Sequence, residues 1–421
     1  MAENSVGRNR LRVWYRPMRM RDSGEGHRVA TPLELLFDLC FVVAVAQAAA
    51  GLHHAIAENH IGHGVLSFGM VFFAIWWGWL NFSWFASSFD TDDVPYRLVT
   101  LVQIAGGLTV AAGVSSAFEG DFKIMVAGYV LMRLAMVVQW LRAARTDPEC
   151  RPAALRYAVG ITIVQILWIV RLGLPESLAL PSFFLLLLAE LAVPVIAERK
   201  RWTGWHPHHI AERYGLFTII VLGESILGAT TAVKEGLDEG EHTGSLISLA
   251  AAGLVLLFSL WWLYFDQPGH ARLEKAKSLF TVASWGYGHY LIFASAAALG
   301  AGLEVAVDYD THTGHVAALP AAMATTVPVA IYLLSVWLMH IGPTNECRPI
   351  AIGFPVTAAL VLAASFTPAP IHITAGLAAA LVVLTVVATH GEPVPGEPKI
   401  DAGQSLGAKK GPPCKSRFRA V

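Results

Sequence analysis

The chain has 421 residues, of which 55% are hydrophobic and only 14% charged, against roughly 25% charged in an average soluble domain. That composition excludes a disordered chain, argues against an ordinary soluble enzyme, and predicts a polytopic membrane protein. With 30 Lys and Arg against 31 Asp and Glu the net charge is −1, so no basic excess points to nucleic acid.

Residues 1–32 are Arg-rich and read as a basic tail. A signal peptide is rejected because the tail is long, no small-residue cleavage site follows, and the next apolar stretch carries Glu34 and Asp38. A spanning helix needs about 20 mostly apolar residues. Twelve stretches qualify: 33–53, 65–86, 98–118, 122–141, 156–174, 178–196, 210–233, 245–265, 279–303, 317–341, 350–366 and 370–389. Glu119-Gly120-Asp121 and Thr367-Pro368-Ala369-Pro370 read as tight re-entries between neighbouring spans. Residues 390–421 are a second tail, rich in Pro, Gly and Lys. The expected fold class is therefore all-α, a bundle of about twelve transmembrane helices at 33–389 between two tails.

Charge placement sets the orientation. If the N-terminal tail is cytoplasmic, 25 of the 30 Lys and Arg fall on that side, and only Lys123, Arg171 and Lys234 fall opposite. The expectation is a cell-membrane protein with both termini cytoplasmic, its partner the lipid bilayer.

Several ionisable residues lie inside spans, where charge is costly and faces a partner or a wet cavity. Glu34 and Asp38, four residues apart, share a face of the first helix; Gln47 and His53 lie further along it. On the seventh span His209, Arg213 and Glu224 form a polar stripe, with Glu212 and Ser225 beside it. Arg133, mid-span in the fourth helix, requires an anionic partner among Glu224, Glu190 and Asp38; His289 lies mid-span in the ninth. Two readings follow: a closed ion-pair network (Arg213 with Asp38 or Glu34, Arg133 with Glu224), or a wet pathway for a proton or small ion with Glu224 and Asp38 as its titrating groups.

The remaining features are weaker. His53, His54, His60 and His63, and then His206, His208 and His209, form two groups without Cys or acid at ligand spacing, which leaves metal binding open. The four cysteines form no CxxC pair. The aromatics Phe72, Phe73, Trp76, Trp77, Trp79, Phe82, Trp84 and Phe85 read as a lipid-facing and interfacial belt. Asp90, Asp92 and Asp93 read as a solvated loop. No GxSxG, Walker A, HExxH or Rossmann fingerprint occurs, and no cofactor is expected.

The first and seventh spans each open with a Glu and an early aromatic, followed by a polar interruption, which suggests a 6 + 6 parallel repeat. The same segments carry a family resemblance. Pro32-Leu33-Glu34-Leu35-Leu36-Phe37-Asp38-Leu39-Cys40-Phe41-Val42 resembles the opening PLELFFDLVFV signature of the bacterial low temperature requirement A family. The stretch His209-Ile210-Ala211-Glu212-Arg213-Tyr214-Gly215-Leu216-Phe217-Thr218-Ile219-Ile220-Val221-Leu222-Gly223-Glu224-Ser225 is similar to its second signature, HIAERFGLFTIIVLGES. Leu36 replaces an aromatic and Cys40 a Val, and no charged position differs. The resemblance implies a helical inner-membrane protein over nearly the whole chain and names no chemistry. The leading functional expectation is a transporter or channel-like protein for a small ion or proton-coupled solute. An intramembrane enzyme acting on lipid and a structural or regulatory membrane protein are the alternatives. Substrate and oligomeric state stay open.

Overall fold

The computed structural model describes residues 14–22, 28–238, 243–266, 269–276, 278–313, 315–342 and 347–389 of the protein. Among these residues the regular structure is all helical. The long helices are α1 Pro32–Ala57, α2 Ile61–Phe89, α3 Val94–Ala112, α4 Lys123–Thr146, α5 Arg151–Arg171, α6 Ala179–Glu198, α7 Pro207–Asp238, α8 Thr243–Phe265, α9 Leu279–Asp310, α10 Ala318–Val336, α11 Arg348–Ala364 and α12 Pro370–Thr389. Each falls on one expected span. Eleven are long and apolar enough to cross a membrane, while α11, at 17 residues, is shorter.

The chain divides into two units. One holds the described residues up to Gly228 with 270–290, and the other holds 229–269 with those from 291 onward. The division falls inside α7 and α9. In the first unit α1 packs on α2 and α3, and the chain then steps through the pairs α3–α4, α4–α5 and α5–α6. In the second, α8 packs on α12, and α11 on both α10 and α12.

Local chemistry fixes the helix ends. The α1 start is a capping box: the Thr31 hydroxyl accepts from the Glu34 amide at 3.3 Å, and the Glu34 carboxylate accepts from the Thr31 amide at 2.7 Å. Gly120, at φ +95°, supplies the left-handed turn before α4. Gly106 of α3 and Gly128 of α4 let two backbones touch; a Cβ on Gly106 would lie 2.8 Å from the Gly128 carbonyl oxygen.

Three sequence expectations need correction. The α2 aromatics are not a lipid-facing belt: Phe72, Trp77, Trp79 and Phe82 are 0% exposed, because neighbouring helices cover two thirds of α2. The Asp90–Asp93 stretch is not simply a solvated loop, since Asp93 is fully buried. It caps α3 through the Tyr96 amide at 3.1 Å and pairs with Arg142. Burial raises the Asp93 pKa, but Arg142 and the amides of Arg16 and Tyr96 more than offset that and hold it low. Finally, part of the N-terminal segment packs against the helices instead of forming a free tail. Met18 is 0% exposed, the Arg16 amide donates to Asp93 at 2.6 Å, and the Met20 amide donates to Asp147 at 2.7 Å. Residues 390–421 lie outside the described residues.

Candidate functional site

The Glu34–Asp38 face of α1 meets the first turns of α7. Arg213 donates to Asp38 through one terminal nitrogen and lies 3.3 Å from Glu34 through the other. The Arg213 side chain is 0% exposed, as are those of Glu34 and His209. His209 Nε2 lies 3.3 Å from Glu34, so an N–H there donates to the carboxylate. Two α2 groups complete the shell: the Trp79 indole N–H donates to Asp38 at 2.8 Å, and the Ser83 hydroxyl accepts from Arg213 at 3.1 Å. Arg28 closes the cluster. It lies 3.5 Å from Glu34 and 2.9 Å from Asp90, and donates at 3.1 Å to the Ala86 and Ser87 carbonyls at the C-terminal end of α2. Glu212 sits beside it and accepts from the Ala30 amide at 3.3 Å.

Among the described residues joined by ion pairs here, the charges do not balance. Three carboxylates (Glu34, Asp38, Asp90) face two guanidiniums (Arg28, Arg213), with the His209 imidazole between them. Uncompensated buried charge is expensive, so the cluster is neutral only with one further proton, on His209 or on a carboxylate. Asp90, just past the end of α2, is the member outside the spans. Burial, followed by the Glu34 charge, raises its pKa to about 6 despite Arg28.

A second buried group lies elsewhere in the same unit, and it is balanced. Arg133 donates to Glu190 at 2.8 Å, one of its three candidate partners, which replaces the Arg133–Glu224 pair of the closed-network reading. Trp77 adds a donor to Glu190 at 2.9 Å, and so does Gln165 at 2.9 Å. One cation, one anion and neutral donors make a closed pair.

The other sequence candidates stand apart from both groups. Glu224 is half-buried on α7 and, among the described residues, forms no ion pair, while buried Ser225 donates to the Val221 carbonyl at 3.2 Å. His289 is buried; its ring packs on Tyr214 and Trp285, and its Nδ1 donates to the Trp285 carbonyl at 2.7 Å. Gln47 is exposed and His53 half-exposed. Among the described residues, no three His, Cys, Asp or Glu side chains gather as a metal-ligand set. Sequence reasoning missed Arg28, Trp79, Ser83, Asp90, Trp77 and Gln165. The available signal was a span dense in Trp and Ser, whose N–H and O–H groups need partners once buried.

Apolar helices of spanning length with charges enclosed between them define a multi-pass integral membrane protein. The chain belongs to the bacterial low temperature requirement A protein (LtrA) family, whose model matches residues 29–388. It is also similar to an uncharacterized protein of Rhizobium meliloti (strain 1021), with 29% identity over 261 residues. That match covers 58% of this chain, and the chain spans only 60% of the curated relative's length.

Proposed function

We propose that the protein is a transporter or channel-like protein of the bacterial cell membrane, moving a small ion or a proton-coupled solute. The α1–α7 cluster is its titrating site. The observation that carries this reading is the surplus carboxylate: three acids against two guanidiniums in an enclosed site. Such a site holds one proton that can be exchanged or replaced by a cation, and changes of protonation in a bundle interior are a means of coupling. His209, in contact with Glu34, gives that proton a second seat. Arg213 is the anchor that holds the two α1 acids together. In this reading Glu224, about 16 Å further along α7, and Ser225 are a second station of the pathway. The Arg133–Glu190 pair, already neutral, is structural. Gln47, His53 and His289 carry no assigned step.

The test is a flux screen with the full chain in liposomes, across protons, K⁺, Na⁺ and amino acids. Wild-type protein should move at least one of these in a pH-dependent way. Glu224→Gln should insert and fold but lose the flux or its pH dependence. Absence of every flux, with turnover of added lipid, would favour a lipid-acting enzyme; absence of both would leave a structural membrane protein.

A further inference from the structure

Outside the charge cluster, the first unit holds a partly open cavity that the transport reading does not use. Its lining comes from α2, α4, α5, α6, the loop after α6, and α9. Its volume is about 70 Å³ on a scale where one water needs roughly 10–15 Å³, so it has room for a small organic head group. The wall is aromatic: Trp84, Trp140, Tyr157, Trp205 and Tyr287 all line it. These rings brace one another. Trp140 stacks on Tyr157 at 4.0 Å, and Trp84 meets Trp205 edge-on at 5.0 Å.

One charge stands in this wall. Glu198, at the end of α6, is 8% exposed and lines the cavity. Its carboxylate accepts from the Tyr157 hydroxyl at 2.8 Å and from the Thr203 hydroxyl at 2.7 Å. Both donors are neutral, and among the described residues no ion pair gives it a cation. Arg156, the nearby base, instead donates to the Ala197 carbonyl at 3.1 Å. A carboxylate positioned by hydroxyls, without a cation of its own, at the edge of an aromatic cavity is the arrangement that recognises an ammonium group. The carboxylate supplies the counter-charge and the rings supply cation–π attraction.

We infer that this cavity is a binding site for an organic ammonium cation, with Glu198 as its counter-ion and Trp84, Trp140 and Trp205 as its aromatic walls. The site stands independently of the transport reading. The ammonium can arrive free in solution or as the head group of a membrane lipid; Val195, at the cavity, is 43% exposed on the outside of the bundle.

The experiment uses the full chain in detergent, with choline as the free probe and 3,3-dimethyl-1-butanol as its neutral isostere, read by calorimetry and by thermal shift. Wild-type protein should bind choline at least tenfold more tightly than the neutral isostere. Glu198→Gln keeps the shape and should lose at least tenfold in choline affinity. Ala283→Leu, which fills the cavity from α9, should lose binding as well and serves as the second variant if Glu198→Gln fails to fold. The lipid source is tested in nanodiscs of phosphatidylglycerol with and without phosphatidylcholine. A shift that requires both phosphatidylcholine and Glu198, without free-choline binding, assigns the site to the lipid head group. Equal binding of choline and its neutral isostere, full choline binding by Glu198→Gln, or no binding of choline in either form would overturn the inference.

Discussion

Arg213 separates two carboxylates that would otherwise face each other across one turn of α1, and its removal should be felt first as a loss of fold. Deleting one partner of a buried pair typically costs about 3–5 kcal/mol. Arg213→Ala should therefore lower the yield of folded, monodisperse protein, measured by size-exclusion chromatography in detergent. Asp90 makes a finer prediction. Its folded pKa, about 6, lies above the ordinary aspartate value of 3.8. A raised pKa favours the fold fully below the unfolded value, and that contribution is lost as pH rises through the folded value. The melting temperature of wild type should accordingly fall between about pH 4 and pH 6, by no more than the equivalent of about 3 kcal/mol. Asp90→Asn leaves two acids facing two guanidiniums and should flatten that slope; an unchanged slope would show that Asp90 does not hold the proton. The pairing of Glu34 and Asp38 with α7 was legible in the sequence because a four-residue spacing puts both on one helix face, and Arg213 is the cation of the similarly polar seventh span. Arg28 and Asp90 were not legible. They lie in segments that read as tail and loop; Asp90 directly follows α2, and only packing brings Arg28 beside it.

At the scale of single elements, α2 carries much of the information. Trp77 and Trp79, two residues apart, point about 160° away from each other around the helix. One donates to Glu190 and the other to Asp38, so α2 serves both charge groups at once. Trp79→Phe should keep the packing while removing the Asp38 donor, at a cost of about 1–3 kcal/mol, readable as a lower melting temperature. Aromatic density alone does not distinguish a lipid-facing belt from a packed core, which is why the sequence misplaced these rings: the deciding fact is how many helices surround α2. The α3–α4 contact makes a separate prediction. A Cβ on Gly128 would lie 2.6 Å from the Val110 amide nitrogen, on backbone that cannot swing away. Gly128→Val should force the two helices apart and reduce folded yield more than Gly223→Val, where a Cβ meets nothing within 4 Å.

For the whole molecule, hydropathy located every long helix, because spanning length and apolar composition are properties of a continuous stretch. The division of the chain inside α7 and α9 was not legible, since it depends on contacts between distant residues. Orientation is a proposal from charge: if the path crosses the membrane twelve times, 25 of 30 basic residues fall on one side, and the expected arrangement has both tails cytoplasmic. Thiol labelling of Ser5→Cys and Ser416→Cys in intact cells should be blocked to an impermeant reagent; labelling of either would overturn that topology. The central claim is that the surplus acid of the α1–α7 cluster carries an exchangeable proton that drives movement across the membrane. Its most direct test is pH-dependent flux through liposomes containing the full chain, with Glu34→Gln beside wild type. That substitution leaves two acids against two guanidiniums and keeps an acceptor for the Thr31 amide. The account predicts a folded protein whose flux is lost or no longer responds to pH. Full, pH-dependent flux in Glu34→Gln would contradict it.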